Sequence, residues 1–364
     1  MLYNLHHSVA GNSGQTGFAD APARSLEKVE TMTQIAADRR QNFQLNEHRQ
    51  IAQGQAEIAE FARDRTVDVS YPFGVFNLEI TNRCPMKCVM CPRTNDMTRD
   101  EGHMSFDLFR KVIDELVECN PEWSAQVPVR LHGFGEVAVH PHFDRFIRYG
   151  EECGVNICLS VNPIVLTPEI SDRLLQADPS LVYMSLDGHD DETFVKIRGL
   201  PHAYGQSKAN LLRFLEWKRQ RGITTKIVFS MIDFYLNGES INVAREFWST
   251  VDGIDEIRIK PFCNWDGNAD HVNELISIDD KSQVLNKRTG PVVCQWPWTS
   301  VTVLWDGSVV PCCFDFDKRY VLGNAEVETL TEIWQGPRMR ALRHEFISGE
   351  VTNSLCQNCT NLRV

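Results

Sequence analysis

Between Tyr71-Pro72 and Ile278 the chain alternates short β-type runs with amphipathic helical stretches, and this alternation restricts its fold more than any other feature. Runs at 75–80, 127–132, 155–160, 181–186, 225–231 and 256–261 are rich in β-branched and aromatic residues and read as six strands. Helical spacings lie between them at 105–117, 143–153, 168–175, 209–221 and 241–248. Repeated β-α units imply a parallel sheet with right-handed crossovers. Six units are too few for a closed eight-stranded barrel, so the expectation is an α/β fold with a partial (β/α)6 TIM-like barrel. Its reacting groups belong at the C-terminal ends of the strands, where the βα loops gather. Beyond about 278 the alternation stops. Residues 301–305 and 308–310 flank Asp306-Gly307, which predicts a hairpin with a tight two-residue turn. Helical stretches follow at 330–334 and 339–346, broken by Gly336-Pro337. The expected organisation is a tail and helical extension over 1–70, the barrel over 71–277 and a small module over 278–364.

With Lys+Arg 37 against Asp+Glu 49, the net charge of −12 excludes a broad electrostatic footprint for nucleic acid or an anionic membrane. No apolar run reaches the ~18 residues that span a bilayer. The start, MLYNLHHSVAGNSGQ, lacks the basic and apolar regions of a secretory signal. A cytoplasmic protein is expected, in which twelve cysteines stay reduced and serve metal or cluster ligation rather than disulfides.

Cys84-Pro-Met-Lys-Cys88-Val-Met-Cys91 directly follows the first expected strand. Structural zinc takes four protein ligands and usually pairs two Cys-x-x-Cys units. Three thiolates on a four-iron cubane leave one iron open to a small molecule. A zinc site or a set of inert cysteines is the bland alternative. Further short motifs follow at the later strand ends: Gly133-Phe134-Gly135-Glu136-Val137, Ser160-Val161-Asn162, Ser185-Leu186-Asp187-Gly188 and Ile197-Arg198-Gly199.

In this order, these elements resemble the signature of radical S-adenosylmethionine (SAM) enzymes. The resemblance implies that Cys84, Cys88 and Cys91 carry a [4Fe–4S] cluster whose open iron chelates SAM. Cleavage of SAM then gives a 5′-deoxyadenosyl radical that takes a hydrogen atom from substrate. It further implies that Glu136 meets the SAM amino group and that Gly135 lets backbone approach the ligand. Ser160 and Asn162 would lie near the ribose and carboxylate, and Ser185 and Arg198 would contact SAM. Three departures stand out: Phe134 and Val137 replace the family's first Gly and Pro, and Met90 replaces the aromatic before the third cysteine.

Cys294, then Cys312 five positions after Gly307, then Cys356-Gln-Asn-Cys359 resemble the family's C-terminal SPASM or, when abbreviated, twitch extension. That resemblance implies one auxiliary [4Fe–4S] cluster on these four cysteines, saturated and suited to electron transfer; a four-cysteine zinc module is the alternative. Only five residues follow Cys359, so no second auxiliary cluster is expected. Cys313 competes with Cys312, whose spacing from Gly307 fits the pattern. The cysteine spacing is similar to that of aminocyclitol dehydrogenases, which points to a sugar or aminocyclitol carbon that is oxidised or inverted. Inversion needs a thiol, and Cys263, just past the sixth strand, is the candidate hydrogen-atom donor beside the bland reading of a small buried thiol. Lys260, Trp265 and Asp266 are candidates for a polar substrate pocket, whereas His140-Pro141-His142 reads as structural. A small, carbohydrate-like substrate and a flavodoxin or ferredoxin reductant are implied, with no nucleic acid or membrane partner. Peptide modification is the alternative within this chemistry, and a zinc-binding interaction protein is the alternative outside it.

Overall fold

The computed structural model describes residues 65–279 and 293–359. The expected tail and helical extension fall mostly on residues 1–64, outside the described residues. Strands β1 (Gly74–Leu78), β2 (Val129–Arg130), β3 (Ile157–Val161), β4 (Leu181–Ser185), β5 (Lys226–Asp233) and β6 (Glu256–Pro261) pair in parallel, in chain order. Helices α1 (Phe106–Cys119), α2 (Phe143–Glu152), α3 (Pro168–Ala177), α4 (Asp191–Arg198), α5 (Tyr204–Gln220) and α6 (Ser240–Ser249) supply the crossovers. The expected partial barrel forms, with α4 as an element that the sequence pattern did not mark.

The side-chain period of two sorts each strand into two unlike faces. Val129, Leu131, Ile157, Leu159, Val182, Met184, Ile227, Phe229 and Met231 join the large apolar core shared with the helices. There Phe229 stacks on Trp248 at 4.7 Å. The alternate residues on the other face include Arg130, His132, Ser160, Ser185, Ser230, Arg258 and Lys260. A small separate apolar cluster of Cys158, Leu181, Tyr183 and Val228 lies on that face. A closed barrel fills its lumen with branched apolar layers; here that face is largely polar.

The C-terminal module joins this sheet. Strand β7 (Ser300–Val303) pairs parallel to β1, and β8 (Ser308–Val310) and β9 (Gly323–Asn324) extend it antiparallel. The hairpin between β7 and β8 differs from the expected two-residue turn. Gly307 N–H donates to Leu304 O at 3.0 Å, so the turn centres on Trp305-Asp306. Gly307, at φ 81°, then serves as the left-handed bulge residue.

Between the barrel and the module lies one buried ion pair. Glu79, with no exposed side chain, accepts two hydrogen bonds from Arg99, each at 2.7 Å, and one from Phe134 N–H at 3.0 Å. Arg99 Nε–H also donates to Phe316 O at 2.7 Å. Asp317 accepts from the Thr98 and Arg99 amides at 2.7 and 2.9 Å. Removing one charge strands the other in a dry site. Glu79→Gln is therefore expected to cost about 3–5 kcal/mol, seen as a lowered thermal midpoint by circular dichroism, whereas Arg110→Gln on exposed α1 should leave the midpoint unchanged.

Candidate functional site

The Cys84–Cys91 segment has almost no regular structure of its own, and its shape comes from outside bonds. Lys87 and Val89 donate their amides to Arg198 O and Ile197 O at 3.2 and 3.0 Å. Thr94 Oγ1 donates to Cys88 O at 2.9 Å, and Trp265 Nε1–H donates to Met90 O at 3.0 Å. Trp265 holds φ 58°, and its ring lies 5.2 Å from Phe134 and 6.0 Å from Phe314. Burial, with Glu136 and Cys88 nearby, pushes the Cys84 thiol up to about 12; burial and the Cys88 charge do the same to Cys91. Crowded thiols that resist ionisation in this way are the donor set that a multiply charged iron group relieves.

Arg198 faces this loop from the C-terminal turn of α4. Its Nη1 lies 3.5 Å from Cys88 Sγ, and its Nη2 lies 2.5 Å from the fully buried Asp187. Asp187 also accepts from Ile232 N–H at 2.8 Å. Gly199 caps α4 at φ 69°, and a Cβ there would meet Lys87 O at 2.5 Å. The Ile197-Arg198-Gly199 element thus has a role absent from the sequence reading: its backbone buttresses the cysteine loop.

Glu136 is buried, and its carboxylate accepts from Asn162 N–H at 2.9 Å and Ala138 N–H at 3.4 Å. Burial outweighs those amides and lifts its pKa to about 7. Asn162 Oδ1 accepts from Ile164 N–H at 3.0 Å, while its Nδ2 is buried without a protein partner, as is Arg198 Nε. Such orphaned donors beside a carboxylate fit a polar ligand. Ser160 and Ser185 meet at the ends of β3 and β4, with their hydroxyls 3.0 Å apart. At Gly135 a Cβ would fall 2.1 Å from Thr81 O, so the glycine admits the chain's own backbone.

Cys294, Cys312, Cys356 and Cys359 line one small cavity, together with Trp296, Phe314, Phe346, Leu355 and Asp266. Burial and mutual repulsion push Cys294 and Cys312 well up, and Cys356 to about 12. Four converging thiols in an apolar wall fit a saturated iron–sulfur cluster. Among the described residues, no three His, Cys, Asp or Glu are drawn tight enough for a single ion; a cubane, whose corners take one thiolate each, spans more. Burial raises the Cys313 thiol, with the Arg130 charge opposing and Cys263 adding. Asp266, a candidate for the substrate pocket, lines this cavity and pairs with Arg319 at 3.3 Å. Burial raises the Cys263 thiol, with the Cys359 charge adding and the Lys260 charge opposing. His140 is used structurally: its Nδ1 accepts from His142 N–H at 3.1 Å and its Nε2 lies 3.2 Å from Met104 O.

Residues 78–247 match the radical SAM superfamily, and residues 294–360 match the SPASM iron–sulfur cluster-binding domain. The chain is 26% identical over 320 residues to the tungsten-containing aldehyde ferredoxin oxidoreductase cofactor-modifying protein of Pyrococcus furiosus, covering 78% of this chain and 86% of that protein. It is 34% identical over 121 residues to the mycofactocin maturase MftC of Mycobacterium tuberculosis, covering 33% of this chain and 29% of that one. Among solved structures, peptide-bound SuiB of Streptococcus suis superposes with TM-score 0.57 at 14% identity, over 81% of this chain and 71% of that one. BtrN in complex with AdoMet superposes with TM-score 0.50 at 16% identity, over 81% and 95%. The chain thus combines a radical SAM domain with a SPASM domain, and [4Fe–4S] clusters and SAM are its cofactors. No helix among the described residues is long and apolar enough to cross a membrane.

Because Gly199 combines a left-handed φ with backbone contact to Lys87, Gly199→Ala is expected to loosen the cysteine loop. The strain of about 1–2 kcal/mol for left-handed alanine adds to the clash. Iron release to a chelator under anaerobic conditions should quicken several-fold, whereas Gly205→Ala, with open space around its Cβ position, should leave the rate unchanged.

Proposed function

We propose that Cys84, Cys88 and Cys91 hold the SAM-binding [4Fe–4S] cluster, that Cys294, Cys312, Cys356 and Cys359 hold a saturated auxiliary cluster, and that the substrate carbon losing hydrogen belongs to a peptide. The observation that carries this reading is the pair of thiol groups, three on one loop and four around a separate cavity. When bound, the first cluster and SAM supply a 5′-deoxyadenosyl radical. The chain's own residues orient it. Glu136 takes the SAM ammonium, Asn162 Nδ2 and Ser185 turn polar groups toward the ligand, and Arg198 offsets the charge at Cys88. Four thiolates leave no iron open for substrate, which suits the auxiliary site to accepting an electron from the substrate radical.

The peptide substrate draws its support from the mycofactocin maturase and PqqA peptide cyclase relatives. The sugar or aminocyclitol reading rests on cysteine spacing, and zinc gives way to the iron–sulfur family match. The reconstituted protein, incubated with dithionite and SAM, should release 5′-deoxyadenosine above background with members of a synthetic peptide pool. Mass spectrometry should show product peptides lighter by two hydrogens. Release with an aminocyclitol panel and none with peptides would overturn the peptide reading. Cys263 retains the role of hydrogen donor for an inverting reaction, in which Cys263→Ala would abolish deuterium uptake from deuterated water.

Glu136 makes binding depend on pH. Its folded pKa of about 7 lies above the ordinary value of 4.5, so the SAM-free fold keeps a proton that the unfolded chain has lost. Stability of that form therefore falls as pH rises from about 4.5 through 7. SAM needs the ionised carboxylate, so its affinity should rise about tenfold from pH 6 to 8. Glu136→Gln should bind weakly with a flat profile; an unchanged slope in that variant would remove Glu136 from the ammonium site.

A further inference from the structure

The polar face of the sheet carries cations near the C-terminal ends of β2 and β6. Arg130 ends β2, His132 follows it two positions on, and Lys260 lies near the end of β6. Burial, and then the positive charges of Arg130 and Lys260, drive the His132 pKa down to about 3. Its ring is therefore neutral, and its Nδ1 is buried with no partner. The Lys260 ammonium lies 4.9 Å from the Tyr183 ring, and no hydrogen bond or ion pair among the described residues reaches it. Burial lowers its pKa, and Arg198 and Arg258 add to the lowering against the pull of Asp187. Asp187 is itself committed to Arg198. Arg130 packs over Phe76 at 4.0 Å and its charge acts on Cys313 of the auxiliary module, while the Lys260 charge acts on Cys263.

Two cations thus act on a neutral imidazole with an unsatisfied nitrogen, all three residues lying on the polar face near the C-terminal ends of β2 and β6. We propose that this slot receives a carboxylate of the substrate, held by Lys260 and Arg130 with His132 as a hydrogen-bond partner. The half-buried Lys260 ammonium has no protein acceptor among the described residues, and a charge-assisted bond to a carboxylate supplies one while fixing the neighbouring carbon. The assignment rests on the peptide reading above, where the carboxylate belongs either to an acidic side chain or to the C-terminus.

The test uses the full chain with both clusters loaded and SAM bound. A pulse of acetyl-N-hydroxysuccinimide at fixed pH is followed by mass spectrometry of Lys260, with exposed Lys196 as the internal control. Glutarate should protect Lys260 at least fivefold and leave Lys196 unchanged, and neutral glutaramide should protect neither. Arg130→Gln should raise the glutarate concentration needed by at least tenfold. Three results would each overturn the proposal: no labelling of Lys260, labelling unaffected by glutarate, or complete protection by SAM alone, which assigns the ammonium to SAM. For peptides that are turned over, changing the recognised Glu or Asp to its amide, or amidating the C-terminus, should lower kcat/KM at least tenfold in the wild type and little in Lys260→Gln. Whichever change has the effect identifies the source of the carboxylate. Glutarate protection without turnover of any peptide leaves the slot standing and removes the peptide reading.

Discussion

The buried pair of Glu79 and Arg99 is the interaction on which the arrangement of the mouth depends. It joins β1, the loop after β2, the segment following the cysteine loop and the C-terminal module in one dry site. A carboxylate and a guanidinium enclosed together tolerate little displacement, because any gap leaves an uncompensated charge. The cysteine loop is held by the Ile197–Arg198 backbone and by the Trp265 indole N–H on Met90 O. A segment without regular structure thereby acquires a defined shape.

The sheet explains why a ligand has room to bind at all. Its outer face meets the helices through apolar side chains, whereas the inner face carries serines, a histidine and long cations. Neither face alone would make a site. The apolar one anchors the strands, and the polar one presents groups that a ligand can use. Addition of β7 beside β1 brings the module's cavity into the same sheet framework.

Much of this was legible in the sequence where the signal is local. The six β-type runs and the cysteine spacings are short-range patterns, and the strands appear at nearly the expected positions. Helix α4 was hidden because only Phe194 and Ile197 mark its buried face. The parallel pairing of β7 with β1 joins residues more than two hundred positions apart, and no local pattern encodes it. The same applies to Glu79 with Arg99, since Arg99 lies in an irregular loop. For Gly135 and Asp266 the sequence shows only neighbours along the chain; their neighbours in space include Thr81 and the cavity of the C-terminal cysteines. The alternation of Arg130 with His132 and of Arg258 with Lys260 was visible, but its meaning depends on which way the sheet curls.

The central claim is that one cluster keeps an iron free for SAM while the other has none. Electron–nuclear double resonance on the reduced protein with SAM labelled by 15N at its amino group and 17O at its carboxylate tests it most directly. The account predicts strong couplings from both labels, lost when Cys84, Cys88 and Cys91 are all changed to Ala and retained when Cys294, Cys312, Cys356 and Cys359 are. Couplings that survive the first set of changes, or are lost with the second, would contradict it.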